Sequence, residues 1–378
     1  VDSVSDLNTP AEPPRIRRVL MTSDTVGGVW TFGLELAEAL GEHGVEVVVA
    51  VLGGHPSPGQ RVEAARIRNI LLLSSEYKLE WMEDPWRDVA ESGQWVLELE
   101  REYSPDIVHL NSFGHGSLPF HAPVVLTAHS CVVSWWRAVK REGAPPAWDR
   151  YREIVAKSLM SVAAVTAPSR AMAASLQENY GGVRADCRVI PNGRDSARFR
   201  RGAKEEFIFT AGRLWDEAKN AVAVARVAGR LSWPVYAAGT SDHPDGRTTA
   251  FEGCRVLGRL SSTDIAGWYS KAAIYALPAR YEPFGLSALE AALSGCALVL
   301  GGITSLHEIW GDAAIFVDPE DERALADALE GLIADRTLRE EMSERSYRRA
   351  LNLDSRRMAN QYLDLYRATV RPRQECVS

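Results

Sequence analysis

At 378 residues, with 46% hydrophobic and 25% charged residues, the chain has the composition of a soluble globular protein with more than one core. A formal net charge of −7 argues against general nucleic-acid binding, and five scattered cysteines with no CxxC pair argue against a disulfide framework or a zinc site. No apolar run reaches transmembrane length and no signal pattern opens the sequence, so a reduced, cytoplasmic setting is expected.

Residues 1–14 are polar and punctuated by proline, and are expected to form a disordered leader. Order is expected from Arg17, with a short apolar strand to Met21, the turn Thr25-Val26-Gly27-Gly28, a helical pattern through Leu34, Leu36, Ala37 and Leu40, and a strand from Val45 to Val51. Strand, glycine-rich turn, helix and strand in so short a span make a βαβ unit, which requires a parallel sheet. The rhythm continues with strands at Ile70–Leu73, Ile107–Leu110, Val124–Thr127, Val162–Ala167 and Arg188–Ile190, and helices at Trp86–Glu102, Trp148–Leu159 and Ala171–Tyr180.

Pro191-Asn192-Gly193 and the charges that follow it read as a linker, so a first domain is expected over 15–195 and a second over 204–354. Strands are expected at Phe207–Ala211, Val235–Ala238, Arg255–Leu257, Ile274–Leu277, Ala297–Leu300 and Ile315–Val317, with helices between them and on to Ala350. The fold class is therefore α/β, two Rossmann-like units in tandem with a cleft between the carboxyl ends of their strands.

Arg213 comes directly after a strand and Lys219 just before the next helix, so both cations stand at the carboxyl edge of the second sheet. A guanidinium fork and an ammonium together can neutralise a diphosphate; two solvated surface cations are the bland alternative. Gly27 and Gly28 let backbone approach a ligand ahead of a helix N-terminus, although neither GxGxxG nor a P-loop is present. Glu282 and Glu290 are separated by seven residues across a loop-to-helix junction, with Pro283 expected in the first turn and Gly295 at the stop. Glu282 would then sit beside the free amides of Phe284, Gly285 and Leu286, and Glu290 about two turns further on, able to accept from a polyol. His129 follows a strand end and faces the cleft, as a sugar contact or a structural histidine; His109 reads as structural, and His307 is left open. Trp135-Trp136-Arg137 with Lys140-Arg141 suits an acceptor sugar or weak peripheral contact with a membrane surface, with ordinary packing as the alternative. No DxD occurs, so the usual aspartate pair for a metal–diphosphate bridge is missing.

These residues, in this order, resemble the retaining GT-B glycosyltransferases of the glycosyl transferases group 1 family, related to glycogen synthase and sucrose-phosphate synthase. The resemblance runs through Gly27-Gly28, Asp106-Ile107-Val108-His109, Thr127-Ala128-His129, Val189-Ile190-Pro191-Asn192-Gly193, Gly212-Arg213-Leu214 with Lys219-Asn220, Glu282-Pro283-Phe284-Gly285-Leu286 with Glu290-Ala291, and Gly311 to Pro319. It implies a nucleotide-diphosphate sugar in the second half, UDP-sugar first and GDP-mannose next. Arg213 and Lys219 would hold the diphosphate, and Glu282 with the amides of Phe284, Gly285 and Leu286 the donor sugar. Glu290 would bind the ribose, Gly28 the diphosphate or sugar from the other domain, and His129 the sugar near its C6 hydroxyl. It also implies hexosyl transfer with retention, no bound metal and no further cofactor, and a final helix, about 355–370, crossing back to the first domain. The acceptor would be a glycan, a lipid-linked or a small-molecule hydroxyl, met in the cytoplasm or at the inner face of the membrane. A nucleotide-sugar epimerase or a non-catalytic nucleotide-sugar-binding protein on the same fold is the alternative. Ser130, Asn111 and His307 depart from the family's pattern, which bears on acceptor details and base contacts.

Retention ordinarily suggests a carboxylate nucleophile. Glu282 fits that role by type, but its family role is sugar binding, so front-face attack assisted by the departing phosphate is the expected route.

Overall fold

The computed structural model describes residues 14–181, 187–242 and 251–370. The expected leader, residues 1–14, lies outside the described residues except for Pro14. The first unit runs β1 (Arg18–Asp24), α1 (Gly28–Gly41), β2 (Glu46–Leu52), α2 (Pro58–Ala64), β3 (Ile70–Ser74), α3 (Trp86–Tyr103), β4 (Ile107–Leu110), β5 (Val124–Thr127), α4 (Val132–Trp135), α5 (Asp149–Ser161), β6 (Ala164–Ala167), α6 (Arg170–Tyr180) and β7 (Arg188–Val189). The second runs β8 (Glu205–Ala211), α7 (Ala221–Ala228), β9 (Val235–Ala238), β10 (Arg255–Gly258), α8 (Ser262–Lys271), β11 (Ala272–Leu277), α9 (Leu286–Leu293), β12 (Ala297–Gly301), α10 (Thr304–Trp310), β13 (Ile315–Val317), α11 (Glu322–Ala334) and α12 (Arg336–Ala350). Helix α13 (Ser355–Val370) follows.

The strands form two wholly parallel sheets, ordered β3-β2-β1-β4-β5-β6-β7 and β10-β9-β8-β11-β12-β13. Their sequences explain why. Val47, Val49 and Val51 face one core while Val48 and Ala50 face another, so β2 is apolar on both sides and must be covered by helices on both. In the second sheet Phe209 and Ile208 divide in the same way. Helix α13 puts Met358, Ala359, Tyr362 and Tyr366 into the same core as Phe32, Leu36 and Leu40 of α1, so the chain ends its described course on the first unit. The outward and return crossings touch where the Arg194 amide donates to the Leu353 carbonyl at 3.0 Å.

Three expectations need correcting. Pro283 is not in the first turn of α9: the helix starts at Leu286, and Gly285 precedes it at φ +91°, a conformation glycine adopts without a Cβ clash. The strand expected from Val162 begins at Ala164, because α5 runs on to Ser161. Helices α2 and α4, the latter continuing into a π-helical turn at Trp136–Lys140, were not anticipated. The first carries a readable signal, Ser57 and Gln60 in a reciprocal capping box around Pro58.

In each sheet the winding reverses once, between β1 and β4 and between β8 and β11. Loops leaving the carboxyl ends of strands beside such a reversal diverge and leave a crevice. The loop after β1 carries Gly27 and Gly28, that after β8 carries Arg213 and Lys219, and that after β11 carries Glu282.

Candidate active site

The two crevices open onto one cleft of about 630 Å³. Gly27, Gly28, His129, Arg213, Lys219, Glu282, Phe284, Gly285, Leu286 and Glu290 all line it.

Arg213 leaves β8 and turns back under Asp216: its Nη2 donates to Asp216 Oδ2 at 2.7 Å. Asp216 also accepts from the Ala218 amide at 3.0 Å and, across the cleft, from Trp135 Nε1 at 3.1 Å. Burial pushes the Asp216 carboxyl up, but the charges of Arg213 and Lys219 with the hydrogen bonds from Arg213 and Trp135 outweigh it and hold it below its ordinary range. Asp216 is thus a fixed anion that orients Arg213. The Nε of Arg213 is buried and lacks an acceptor, and a Cβ on Gly27 would lie 3.1 Å from its Nη1. The guanidinium therefore stands directly against the glycine turn, with an unsatisfied donor in a place suited to an anion.

Lys219 is placed by its neighbour. Asn220 adopts φ +55°, which asparagine tolerates, and its Nδ2 donates to the carbonyls of Pro278 at 3.0 Å and Pro319 at 2.8 Å. This ties the loop after β8 to the loop after β11. Lys219 Nζ then pairs with Glu282 Oε2. The other oxygen, Oε1, accepts from the Gly285 amide at 2.9 Å and the Phe284 amide at 3.4 Å. The expectation that those two amides are free needs correcting: they donate to Glu282 itself, and the Phe284 side chain is buried in the second core. The donors left at the start of α9 begin at Leu286.

Glu290 lies one turn, not two, into α9, because the helix starts later than its sequence suggests. Its carboxylate stands 3.2 Å from Arg194 Nε. Arg194 was read only as linker charge, and nothing in its sequence position announces a partner eighty or more residues away.

On the first-domain side His129 Nε2 lies 2.8 Å from Asn111 Oδ1, and its ring packs edge-on against Phe32 at 4.4 Å between centroids. Asn111 Nδ2 donates to the Thr22 carbonyl at 2.7 Å, which fixes the amide's orientation. Its Oδ1 is then an acceptor, so His129 carries its proton on Nε2 and leaves Nδ1 as a lone-pair acceptor. Burial pulls the imidazole down to about 3, so His129 is neutral near pH 7. Asn111, a departure from the family's pattern, is thus what sets the His129 tautomer. His109 is structural: it is fully buried, with Nδ1 2.6 Å from Tyr366 Oη and Nε2 2.7 Å from Thr127 Oγ1. His307 lies outside the cleft, its ring 3.8 Å from that of Phe316.

The Trp135–Arg141 patch meets the second domain. Besides the Trp135–Asp216 bond, Lys140 pairs with Glu217 at 2.7 Å. Nearby, Ser169 Oγ donates to the Pro283 carbonyl at 2.7 Å, and Glu308 accepts from the Arg170 and Ala171 amides at 2.8 and 3.0 Å. Arg259, after β10, adds another cation to the cleft wall and donates to the Thr25 carbonyl at 3.3 Å. Among the described residues no helix is long and apolar enough to cross a membrane.

Residues 26–198 match the model of Glycosyltransferase Family 4 and residues 248–349 that of Glycosyl transferases group 1. Glycogen synthase of Mycobacterium tuberculosis is 24% identical over 363 residues, which span 84% of this chain and 86% of that protein. Among solved structures, sucrose-phosphate synthase from Thermosynechococcus elongatus is similar with a TM-score of 0.77 at 18% identity, covering 93% of this chain and 98% of that one. HepE of Anabaena, solved in complex with UDP and glucose, follows with a TM-score of 0.71 at 14% identity over 93% of this chain and 99% of that one. With a Glycosyltransferase Family 4 model on the first half, a Glycosyl transferases group 1 model on the second, and two parallel sheets in the arrangement of the GT-B structures, the chain is a glycosyltransferase of GT-B fold.

Proposed function

We propose that the protein is a retaining hexosyltransferase that moves a sugar from a UDP-sugar to a neutral hydroxyl of a glycan, lipid-linked or small-molecule acceptor, without a bound metal or other cofactor. The observation that carries this reading is the pairing of Arg213, with its unsatisfied Nε, and Lys219 beside the Gly27–Gly28 turn. Two cations and a helix N-terminus offer a diphosphate the neutralisation that a metal supplies elsewhere. The Anabaena neighbour, solved with UDP and glucose, supports uracil as the base.

In the proposed reaction the bond from the sugar C1 to the β-phosphate oxygen breaks, and the electron pair leaves with the phosphate. The acceptor oxygen bonds to C1 on the same face, and its proton passes to the departing phosphate oxygen. Arg213 and Lys219 stabilise the charge that builds there; a well-placed donor of this kind contributes roughly 3–4 kcal/mol to the transition state. Glu282 accepts from donor-sugar hydroxyls once Lys219 turns to the phosphate. Its engagement with Lys219 and the Gly285 amide supports a binding rather than a nucleophilic role. His129, neutral with Nδ1 free to accept, takes a sugar hydroxyl, and Glu290 takes the ribose.

Thermal melting against UDP, GDP and ADP tests the donor, because a ligand that binds only the folded protein raises the melting temperature by mass action. UDP is expected to give the largest rise. Nuclear magnetic resonance of the product's anomeric centre tests retention, and turnover unchanged by EDTA tests metal independence. A covalent glycosyl–Glu282 adduct would replace the front-face route by double displacement. Absence of slow donor hydrolysis across a nucleotide-sugar panel would make the protein a binder.

A further inference from the structure

Behind the cleft wall, where the chain first crosses between the domains, lies a group of charges that the transfer chemistry does not use. Arg194 follows Pro191-Asn192-Gly193 at this crossing, and its side chain is only 8% exposed. Its Nη1 donates to Glu35 Oε2 at 2.5 Å, its Nε stands 3.2 Å from Glu290 Oε1, and its guanidinium lies 5.2 Å from the centre of the Phe199 ring. Glu35 belongs to α1 of the first domain, and its Oε1 accepts from the Asp195 amide at 2.5 Å. Glu290 belongs to α9 of the second. One hinge guanidinium therefore holds a carboxylate from each domain.

Glu290 lines the cleft, and Arg194 stands behind it. Burial pushes the Glu290 carboxyl up, Arg194 pulls it down, and Glu35 and Glu63 push it up again, while the Tyr269 hydroxyl on α8 faces it from the other side. The net effect holds the carboxyl above its ordinary range, and without Arg194 burial and two neighbouring carboxylates would raise it further. In the same corner the buried Oδ1 of Asn192, a residue that lines the cleft, has no hydrogen-bond partner, and the approach of Arg194 Nε to Glu290 is an ion-pair contact rather than an aligned hydrogen bond. An unpartnered acceptor beside a carboxylate suits a ligand that brings hydroxyl groups.

We propose that Arg194 is the positioning residue of Glu290: docked on Glu35 of the first domain, it fixes the Glu290 carboxylate as the acceptor for the ribose hydroxyls of the nucleotide. This rests on the reading of Glu290 as the ribose contact. The hinge then ties nucleoside recognition on α9 to α1, whose N-terminus carries the glycine turn.

The test is calorimetric titration of the full chain with the tightest binder among UDP, GDP and ADP, and with its 2′,3′-dideoxy counterpart. Wild type is expected to prefer the ribose form by about tenfold or more, the weight of a hydrogen bond to a charged group. Arg194→Met is expected to lose that preference, with little change for the dideoxy form. Its affinity for the ribose form should recover as pH is raised and Glu290 ionises, which a merely structural loss would not do. Arg194→Lys keeps the charge but cannot span both carboxylates, and Glu35→Gln keeps Arg194 but frees it from the first domain; both are expected to be intermediate. They carry the test where Arg194→Met fails to fold. A wild type that ignores the ribose hydroxyls, or binds none of the three nucleotides, would overturn the ribose reading and this inference with it. A wild type that discriminates, beside variants that discriminate equally, would overturn this inference alone.

Discussion

The two walls of the cleft are made of different material. The second-domain wall is charged: Arg213, Lys219 and Arg259 face Asp216, Glu282 and Glu290, and most of these groups are paired with one another. The first-domain wall is small and neutral, made of Thr25, Val26, Gly27, Gly28, the neutral His129 and Ser130, with Trp135 reaching across. The difference teaches a division of labour. Charge is concentrated where a diphosphate would lose its leaving group, and close approach is provided where a sugar and an acceptor hydroxyl must meet. The charged wall is also prepaired, so that Glu282 occupies Lys219 and Asp216 occupies Arg213. A ligand anion exchanges these partners rather than meeting bare cations, and Lys219 turns from Glu282 when it does.

The largest test of this division is removal of a cation from the charged wall. Lys219→Ala is expected to lower turnover by about 10²- to 10³-fold with a far smaller loss of stability, whereas Arg213→Ala also strands the buried Asp216 carboxylate and is expected to lower the melting temperature as well. Steady-state kinetics beside a thermal melt decides it, and equal loss of folding and activity in Lys219→Ala would assign that cation to structure.

The neutral side of the molecule makes a prediction in pH. His109 and His115 are buried in the first unit, and burial pulls them down to about 3 and about 4. The unfolded chain takes up their protons below its ordinary value near 6.5 while the folded chain does not. Their stabilising neutrality is therefore complete above pH 6.5 and is lost as pH falls toward 4, by about 2 kcal/mol per histidine between pH 6.5 and 5. Melting temperatures measured from pH 7.5 to 5 should fall accordingly, and less steeply in His115→Gln, which keeps a polar group near Ser92.

Where the walls meet, Gly27→Ala would put a methyl group 3.1 Å from Arg213 Nη1. The flexible guanidinium can give way, so the fold should survive while kcat/KM drops by about tenfold, or about 1.4 kcal/mol. An unchanged kcat/KM would mean that Arg213 need not stand against the glycine turn. The smallest expected effect is that of Trp135→Phe, which removes one hydrogen bond to Asp216 across the cleft and should cost about 1 kcal/mol. Urea titration would read it, and a Trp135→Phe protein as stable as wild type would show that the bond adds nothing net.

Much of this was legible in the chain. Alternation of short apolar runs with helical patterns gave strands at Ile107–Leu110, Val124–Thr127, Val235–Ala238 and Ile315–Val317 with their observed bounds, because a parallel strand buried on both faces has few other sequences to choose from. Most of the site residues fell in or just after the loops that leave strand ends, and beside a winding reversal such loops diverge and leave a crevice. The errors came where a short-range signal met a long-range one. Pro283 is a good first-turn residue, yet its carbonyl is held by Ser169 of the other domain and the helix begins at Leu286 instead. Phe284 and Gly285 have amides free by position, but Glu282 folds back to take them.

By itself, then, the sequence determined two parallel α/β units and the identity of the groups gathered at their strand ends, since both follow from local pattern and spacing. Only the tertiary structure decided which charges pair. Arg194 meets Glu35 and Glu290 across separations that no periodicity encodes, Asp216 meets Trp135 across the cleft, and Asn111 sets the proton on His129. Such pairings depend on distance in space and on the exclusion of water, and these exist only once the chain has folded and, for the pairs that span the cleft, the two domains have docked.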